Sequence, residues 1–354
     1  MSSLLSGASL VEVGTRIFQA VGAPEPVAAR VARSLVDANL TGHDSHGVIR
    51  IPSYVRAVRK GEVIPNATPE VLRETAVSAL VDGGWGFGQV TVDRATQLAI
   101  DKTRAQGVAI VAAVRCTHIG RLGEYAEMAA AEGVVLFLVA GGLAPRRGGH
   151  VAPFGGRTGV LGTNPLAFGF PGGPEAPVVL SDFATSAVAA GKISVARAKG
   201  EPLPSGTILD RDGRPTTRAE DYFAGGTLQP FGGHKGYALG VVVELLGRVV
   251  TGSDAFAEPE AGRGGDVYGR SGTLLVGIDP GLFRDRADYG RGVDQTVRQL
   301  KAVAPAEGFA EVLVPGEPEQ RARSERERTG ISVEEPTLAA IREVARSLDV
   351  ELSF

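Results

Sequence analysis

Val77-Ser78-Ala79-Leu80-Val81-Asp82-Gly83-Gly84-Trp85-Gly86-Phe87-Gly88 makes the sharpest architectural statement in the chain. Residues 77–82 read as a strand, and residues 91–104 read as a helix beyond a glycine-rich turn. Strand, glycine turn and helix in that order is where a parallel dinucleotide-binding sheet carries Gly-x-Gly-x-x-Gly. This stretch comes nearest to that fingerprint in the whole sequence and fails at the last glycine. There is no Walker A sequence, no Gly-x-Ser-x-Gly elbow and no cysteine cluster for zinc. The expectation is either a cofactor site outside the standard Rossmann pattern or no dinucleotide at all.

On either side of this stretch the chain alternates. Further strands are expected at residues 108–114, 134–139, 166–170, 178–182 and 273–278, with a helix at 119–131 and a long apolar helix at 235–250 that stops at Gly252. The first 60 residues read as three helices. Leu10, Val13, Ile17 and Val21 mark the first, and Val27, Val31, Leu35 and Ala38 the second. The third starts at residues 45–47 and carries Ile51, Tyr54, Val55 and Val58. Residues 255–272 read as a surface loop, and 317–328 as a solvated helix or strap. Residues 332–348 read as a helix opened by a Ser332/Glu335 capping box. Boundaries at 61–70 and 315–329 give a mixed α/β chain. A helical lobe of residues 1–70, completed by 330–354, flanks a sheet domain of residues 71–329.

Composition narrows the partners. The 354 residues are 43% hydrophobic, enough for a large core. With 37 basic against 40 acidic residues there is no cationic excess to neutralise a phosphate backbone, which argues against nucleic acid. The single cysteine, Cys116, cannot form an internal disulfide. The expected product is a cytoplasmic protein without a signal peptide or membrane span.

Of five histidines, two lie in Thr41-Gly42-His43-Asp44-Ser45-His46-Gly47, followed by Arg50. A helix starting at 45–47 would project His46 and Arg50 from one face. An imidazole there can exchange a proton near neutral pH, and a guanidinium can grip a carboxylate with two parallel bonds. Ser45 could orient or relay. Helix capping by Asp44 or Ser45 competes with this reading, and so does metal ligation by His43 and His46, for which no third ligand stands at a familiar spacing. Three more segments end strands or open helices with groups suited to anions or ligands. They are Cys116-Thr117-His118-Ile119-Gly120-Arg121-Leu122-Gly123, Leu161-Gly162-Thr163-Asn164-Pro165 with Ser181-Asp182-Phe183-Ala184-Thr185-Ser186, and Phe231-Gly232-Gly233-His234-Lys235-Gly236-Tyr237. Lys235 at a helix start repels the positive helix end unless an anion is present. A strand–helix turn capped by Thr117 competes for the first, the second pair is weak by itself, and a solvated lysine beside a tight turn competes for the third.

Taken in order, these segments resemble the type-2 malate/L-lactate dehydrogenase family, which includes sulfolactate, ureidoglycolate and diketogulonate enzymes and piperideine-2-carboxylate reductases. Residues 182–192 and Pro315-Gly316-Glu317 add to the match. The resemblance implies a non-Rossmann, largely antiparallel nicotinamide-binding sheet, a homodimer, and NAD or NADP as cofactor. It implies His46 as proton donor, Ser45 as relay and Arg50 as carboxylate clamp. His118 falls on the cofactor side, or acts as the base in some members. Thr163 and Gly191 fall at substrate contacts and Lys192 at a relay position. Ile119, Gly120, Arg121, Leu122, Asp182, Phe183, Ala184, His234, Lys235, Pro315, Gly316 and Glu317 fall at cofactor contacts. Departures from the family pattern at Ile119–Leu122, at Pro153-Phe154-Gly155-Gly156 and at Arg146-Arg147-Gly148-Gly149-His150 bear on the substrate more than on the reaction.

The expected activity is interconversion of a small 2-oxo acid and its 2-hydroxy acid. Reduction of a cyclic imino acid is the alternative on the same scaffold. A metal-dependent hydrolase using His43, Asp44 and His46, and a non-catalytic anion-binding protein, are the readings from other classes.

Overall fold

Seven strands form the central sheet of the computed structural model, which describes residues 2–142, 150–176 and 178–352. In chain order the elements are β1 (Ser2–Leu5), α1 (Gly7–Ala20), α2 (Glu25–Leu40), α3 (Ile51–Arg59), β2 (Glu70–Glu74), β3 (Ser78–Asp82), α4 (Gly88–Gln106) and β4 (Val108–Val114). There follow α5 (Leu122–Ala131), β5 (Val135–Gly141), β6 (Leu166–Phe170), β7 (Val179–Phe183), α6 (Ala190–Lys199), β8 (Ile208–Leu209), β9 (Pro215–Thr216), α7 (Ala219–Phe223) and β10 (Thr227–Leu228). The chain closes with α8 (His234–Glu244), α9 (Gly265–Tyr268), β11 (Gly272–Ile278), α10 (Arg286–Lys301), α11 (Glu317–Thr329), β12 (Ile331–Glu334) and α12 (Glu335–Arg346).

The sheet order is β2-β3-β4-β11-β5-β6-β7. Only β3 and β4 pair in parallel; the other neighbours are antiparallel. The glycine-rich turn therefore serves a single strand–helix–strand crossover. Its glycines permit close backbone approach: a Cβ on Gly83 would overlap Thr91, and one on Gly88 would lie 2.5 Å from the Thr117 and His118 carbonyl oxygens. They bring the start of α4 against the segment that carries His118.

Helices α4 and α5 cover one face of the sheet, burying Val92, Ala95, Ala99, Tyr125 and Ala129 against Val81, Val111, Leu136, Leu138 and Leu275. Helix α8 crosses the other face, with Val243 against Val139, Leu166 and Leu274. The apolar run expected as one helix over 235–250 changes at Leu245 to a π-helical turn, Leu245–Val250, where Gly247 lies directly on Gly141 and Gly272. A side chain there would separate helix from sheet, so the backbone widens at a residue without one.

A second core joins the two ends of the chain. Leu10, Ile17, Leu35 and Ile51 pack with Ile331, Leu338 and Ile341, and β1 pairs antiparallel with β12. The expected capping box fails here: Ser332 lies in β12 opposite Leu4, and α12 begins at Glu335. Alternate burial of Ile331 and Val333 favours a strand over a cap. A third cluster, around Ile193, Ile208 and Leu228, belongs to the small sheet β10-β8-β9 with α6 and α7. The run at 317–328 is the solvated helix α11, with no buried residue. Residues 146–149 lie outside the described residues. No described helix is long and apolar enough to cross a membrane.

Candidate active site

The Thr41–Arg50 segment is built on Asn39, buried at the end of α2. Its Nδ2 donates to Asp44 Oδ1 at 2.6 Å, and its Oδ1 accepts from Val48 N–H at 2.8 Å. Arg326 of α11 donates to Asp44 Oδ1 at 2.7 Å. The side-chain amide thus pins both halves of a loop that carries two short 3-10 turns, Asp44–His46 and Val48–Arg50.

The helix expected from residues 45–47 does not form. Gly47 is extended between the two turns (φ −85°, ψ −155°), and α3 starts only at Ile51. A Cβ on Gly47 would overlap the Asn39 amide, so the break and the bond to Val48 depend on each other. His46 and Arg50 are therefore not on one regular helical face. They converge by a different route: Arg50 Nε donates to the Ser45 carbonyl at 2.7 Å, and the Ser45 hydroxyl lies 3.1 Å from His46 Nδ1. Burial and the Arg50 charge, with His43 and Arg121, lower the His46 pKa from 6.5 to about 4.

His118 arrives from the far side, on the segment between β4 and α5. Its ring lies 5.4 Å from that of His46, at an interplanar angle of 19°. Its Nδ1 is 2.5 Å from the hydroxyl of Tyr54 on α3, which in turn accepts from Gln89 Nε2 at 2.7 Å. Burial, Arg50 and His46 hold His118 well below the usual histidine range. Tyr268, from the segment read as a surface loop, places its ring 5.7 Å from His118. Burial raises its phenol pKa, and the Arg50 charge opposes that shift. The loop that carries Tyr268 is clasped by Glu258, which accepts from Trp85 Nε1 at 2.9 Å and Arg115 Nη1 at 3.1 Å.

The other sequence candidates fall into groups. Gly191 abuts Ser45, with its Cβ direction 3.1 Å from the Ser45 Cβ, and Lys192 is exposed beside it. The Thr163 carbonyl accepts from Thr185 N–H at 2.9 Å, and Asn164 Nδ2 donates to the Gly240 carbonyl at 2.9 Å, which ties both segments to α8. Asp182 Oδ2 accepts from Gly123 N–H at 2.7 Å, joining the end of β7 to the start of α5. Burial raises its carboxyl pKa against the pull of that N–H, Arg121 and His43. Phe183, followed by Ala184, is 41% exposed with its ring 5.8 Å from Phe231, and His234 and Lys235 are exposed at the start of α8.

Several candidates face elsewhere. Ile119 and Leu122 turn into the core between sheet and helices. Gly120 is buried against Ser34 and Gln89. The Arg121 guanidinium is buried between α2 and α5, donating to Asp37 at 3.0 Å and Glu127 at 2.8 Å. Of that segment, only His118 brings a side chain to the histidine cluster. Pro315 accepts from Leu180 N–H along β7, and Glu317 is engaged by Lys301 at 2.7 Å. His43 faces Glu319 at 3.4 Å and Asp44 is held by Arg326. Among the described residues no three His, Cys, Asp or Glu side chains converge as metal ligands.

Nothing in the local sequence marks Tyr54, Gln89 or Tyr268 as functional. Tyr54 sits at core spacing in its helix, and its partners are 35 and 64 residues away.

Comparison with known proteins bears on this geometry. The profile of the malate/L-lactate dehydrogenase family matches residues 5–342. The L-sulfolactate dehydrogenase of Methanothermobacter thermautotrophicus is 36% identical over 97% of both chains. A Pseudomonas putida Δ1-pyrroline-2-carboxylate/Δ1-piperideine-2-carboxylate reductase is 36% identical over 93% of both. The structure of sulfolactate dehydrogenase from Methanocaldococcus jannaschii superposes with a TM-score of 0.88 at 31% identity, covering 99% of this chain and 98% of that one. The chain belongs to the malate/L-lactate dehydrogenase family.

Proposed function

We propose that the protein is an NAD(P)H-dependent oxidoreductase that interconverts a small 2-oxo acid and its 2-hydroxy acid. The observation that carries this reading is the convergence of His46, His118 and Arg50 from separate elements into one partly buried cluster. Arg50 holds the substrate carboxylate, His46 exchanges the proton at the oxygen and Ser45 orients the His46 ring. Thr163 and Gly191 contribute substrate contacts, and Lys192 a relay. In the free protein His46 is neutral at pH 7, the state that accepts a proton from a 2-hydroxy acid. A carboxylate on Arg50 offsets one cause of the depressed pKa and so favours the protonated ring needed for reduction.

Several features fit a nicotinamide dinucleotide. Phe183 offers an exposed aromatic ring at the end of β7. The Gly232-Gly233 turn opens α8 with exposed His234 and Lys235 and no acidic residue in the first turn, an arrangement suited to a diphosphate. Asp182, Ala184 and the backbone at residues 118–122 and 315–317 complete the proposed contacts. The cofactor would supply hydride; the protein supplies position and the proton. In this reading the sheet domain, residues 71–329, is a non-Rossmann cofactor domain, and residues 1–70 with 330–354 form the substrate-side lobe.

We further read the enzyme as a cytoplasmic homodimer. Val242, Leu245, Val249 and Val250 form an apolar stripe along α8 and its π-turn, each 48–62% exposed, which supports a second copy as its cover. Reduction of a cyclic imino acid remains the alternative, supported by the similarity to the piperideine-2-carboxylate reductase. Oxidation of NADH and of NADPH against pyruvate, oxaloacetate and a cyclic imino acid separates the two. Turnover of a 2-oxo acid is the expected result. Turnover of the imine alone would replace the reading, and a dehydrogenase rate unchanged by a chelator would remove the metal-dependent hydrolase.

A further inference from the structure

The two histidines of the cluster are held differently. His46 Nδ1 faces a serine hydroxyl, which can donate or accept, so either tautomer is accommodated. His118 Nδ1 faces Tyr54, a buried phenol that is itself under instruction. Gln89 is fully buried in the first turn of α4. Its Nε2 faces the Tyr54 oxygen and, in that orientation, can only donate to it, while its Oε1 has no partner among the described residues. The reversed amide would make Tyr54 the donor and call for the opposite His118 tautomer, which the measurement below distinguishes. With that bond accepted, His118 Nδ1 is the acceptor for the phenolic proton among the described residues. An uncharged imidazole with a lone pair at Nδ1 carries its proton at Nε2.

We propose that Gln89 and Tyr54 fix His118 as the Nε2–H tautomer, making it a permanent hydrogen-bond donor to a carbonyl oxygen of substrate or cofactor and leaving proton transfer to His46. The groups facing His118 agree with an uncharged ring. They are the Tyr54 and Tyr268 phenols, the His46 imidazole and the Arg50 charge, with no carboxylate among them. Tyr54 acts through His118 and is a positioning residue. The role of His118 in turnover rests on the dehydrogenase reading above. The tautomer is a property of the ligand-free protein and does not.

Long-range 1H–15N correlation on the full chain labelled with 15N-histidine tests this at pH 7, with His118 identified by the signals lost in His118→Gln. The expected pattern is a pyrrole-type nitrogen at Nε2 and a pyridine-type nitrogen at Nδ1. In Tyr54→Phe the His118 signals should move toward a tautomer mixture while the thermal midpoint shows a folded protein. The kcat for the 2-oxo acid should fall about tenfold with KM little changed, the scale of one hydrogen bond. If Tyr54→Phe does not fold, Gln89→Leu keeps the phenol and should also shift His118 toward the mixture. A wild-type Nδ1–H pattern, or a tautomer indifferent to both substitutions, would overturn the proposal. An altered tautomer with full turnover would overturn the donor role of His118. A His46→Ala enzyme with normal turnover would overturn the dehydrogenase assignment of His46 while leaving the tautomer result standing.

Discussion

Gly47 lies so close to Asn39 that any side chain on it would displace the amide that accepts the Val48 N–H. The pair holds Ser45 and His46 on one side of the break and Arg50 on the other. Asn39→Ala strands the buried Val48 N–H and removes one partner of Asp44, a cost of about 1–3 kcal/mol. Urea denaturation should show that loss. Gly47→Ala should lower kcat/KM by at least about tenfold, because an ångström of displacement in such a site is expensive. Unchanged kcat/KM in Gly47→Ala would mean that the loop does not position the site.

After burial, the Arg50 charge is the largest influence lowering the pKa of both histidines. Arg50→Lys replaces a planar fork by a point charge. The KM for a 2-oxo acid should rise by about tenfold or more, the order of one charge-assisted bond, with kcat less affected. Steady-state kinetics with saturating cofactor checks this. A normal KM would remove Arg50 from the carboxylate site.

The depressed pKa of His46 has a sign that can be followed in stability. Its folded value of about 4 lies below the ordinary 6.5, so between those values the unfolded chain binds the proton and the folded chain does not. Stability from this residue is present above pH 6.5 and is lost as pH falls toward 4. His118 is shifted in the same direction. Thermal midpoints of His46→Asn should therefore fall less steeply over this window than those of the wild type. Parallel curves would contradict the burial of His46 beside Arg50.

The stripe on α8 and its π-turn predicts association. Leu245→Glu should shift the mass seen by light scattering toward that of one chain, with the fold retained by circular dichroism. A wild-type protein that already runs as a monomer would remove the dimer reading.

The sequence revealed those parts of the molecule that repeat locally. Strands β4 and β6 have the bounds expected from their apolar runs, and the absence of the glycine fingerprint agrees with a mostly antiparallel sheet. Where two interactions competed locally, the reading failed. Ser332 satisfied a capping pattern, but its neighbours Ile331 and Val333 pair with β1, a partner more than 300 residues away. His46 and Arg50 had helical spacing, but Asn39 and Gly47 broke the helix between them. The site was legible as a list of segments, since His46, Arg50 and His118 stand in unusual motifs. Tyr54, Gln89 and Tyr268 gave no such signal. Tyrosine at core spacing looks like core, and a tyrosine in a glycine-rich loop looks like surface, until the fold sets both against His118.

In the proposed reaction His46 handles the proton and the cofactor binds elsewhere. Turnover of His46→Ala on a 2-oxo acid, measured across pH beside NADH and NADPH fluorescence titrations, tests it most directly. The kcat should fall by about 100-fold or more, the range of general acid catalysis, while cofactor affinity stays within a few-fold of the wild type. Near-normal turnover at every pH would contradict it.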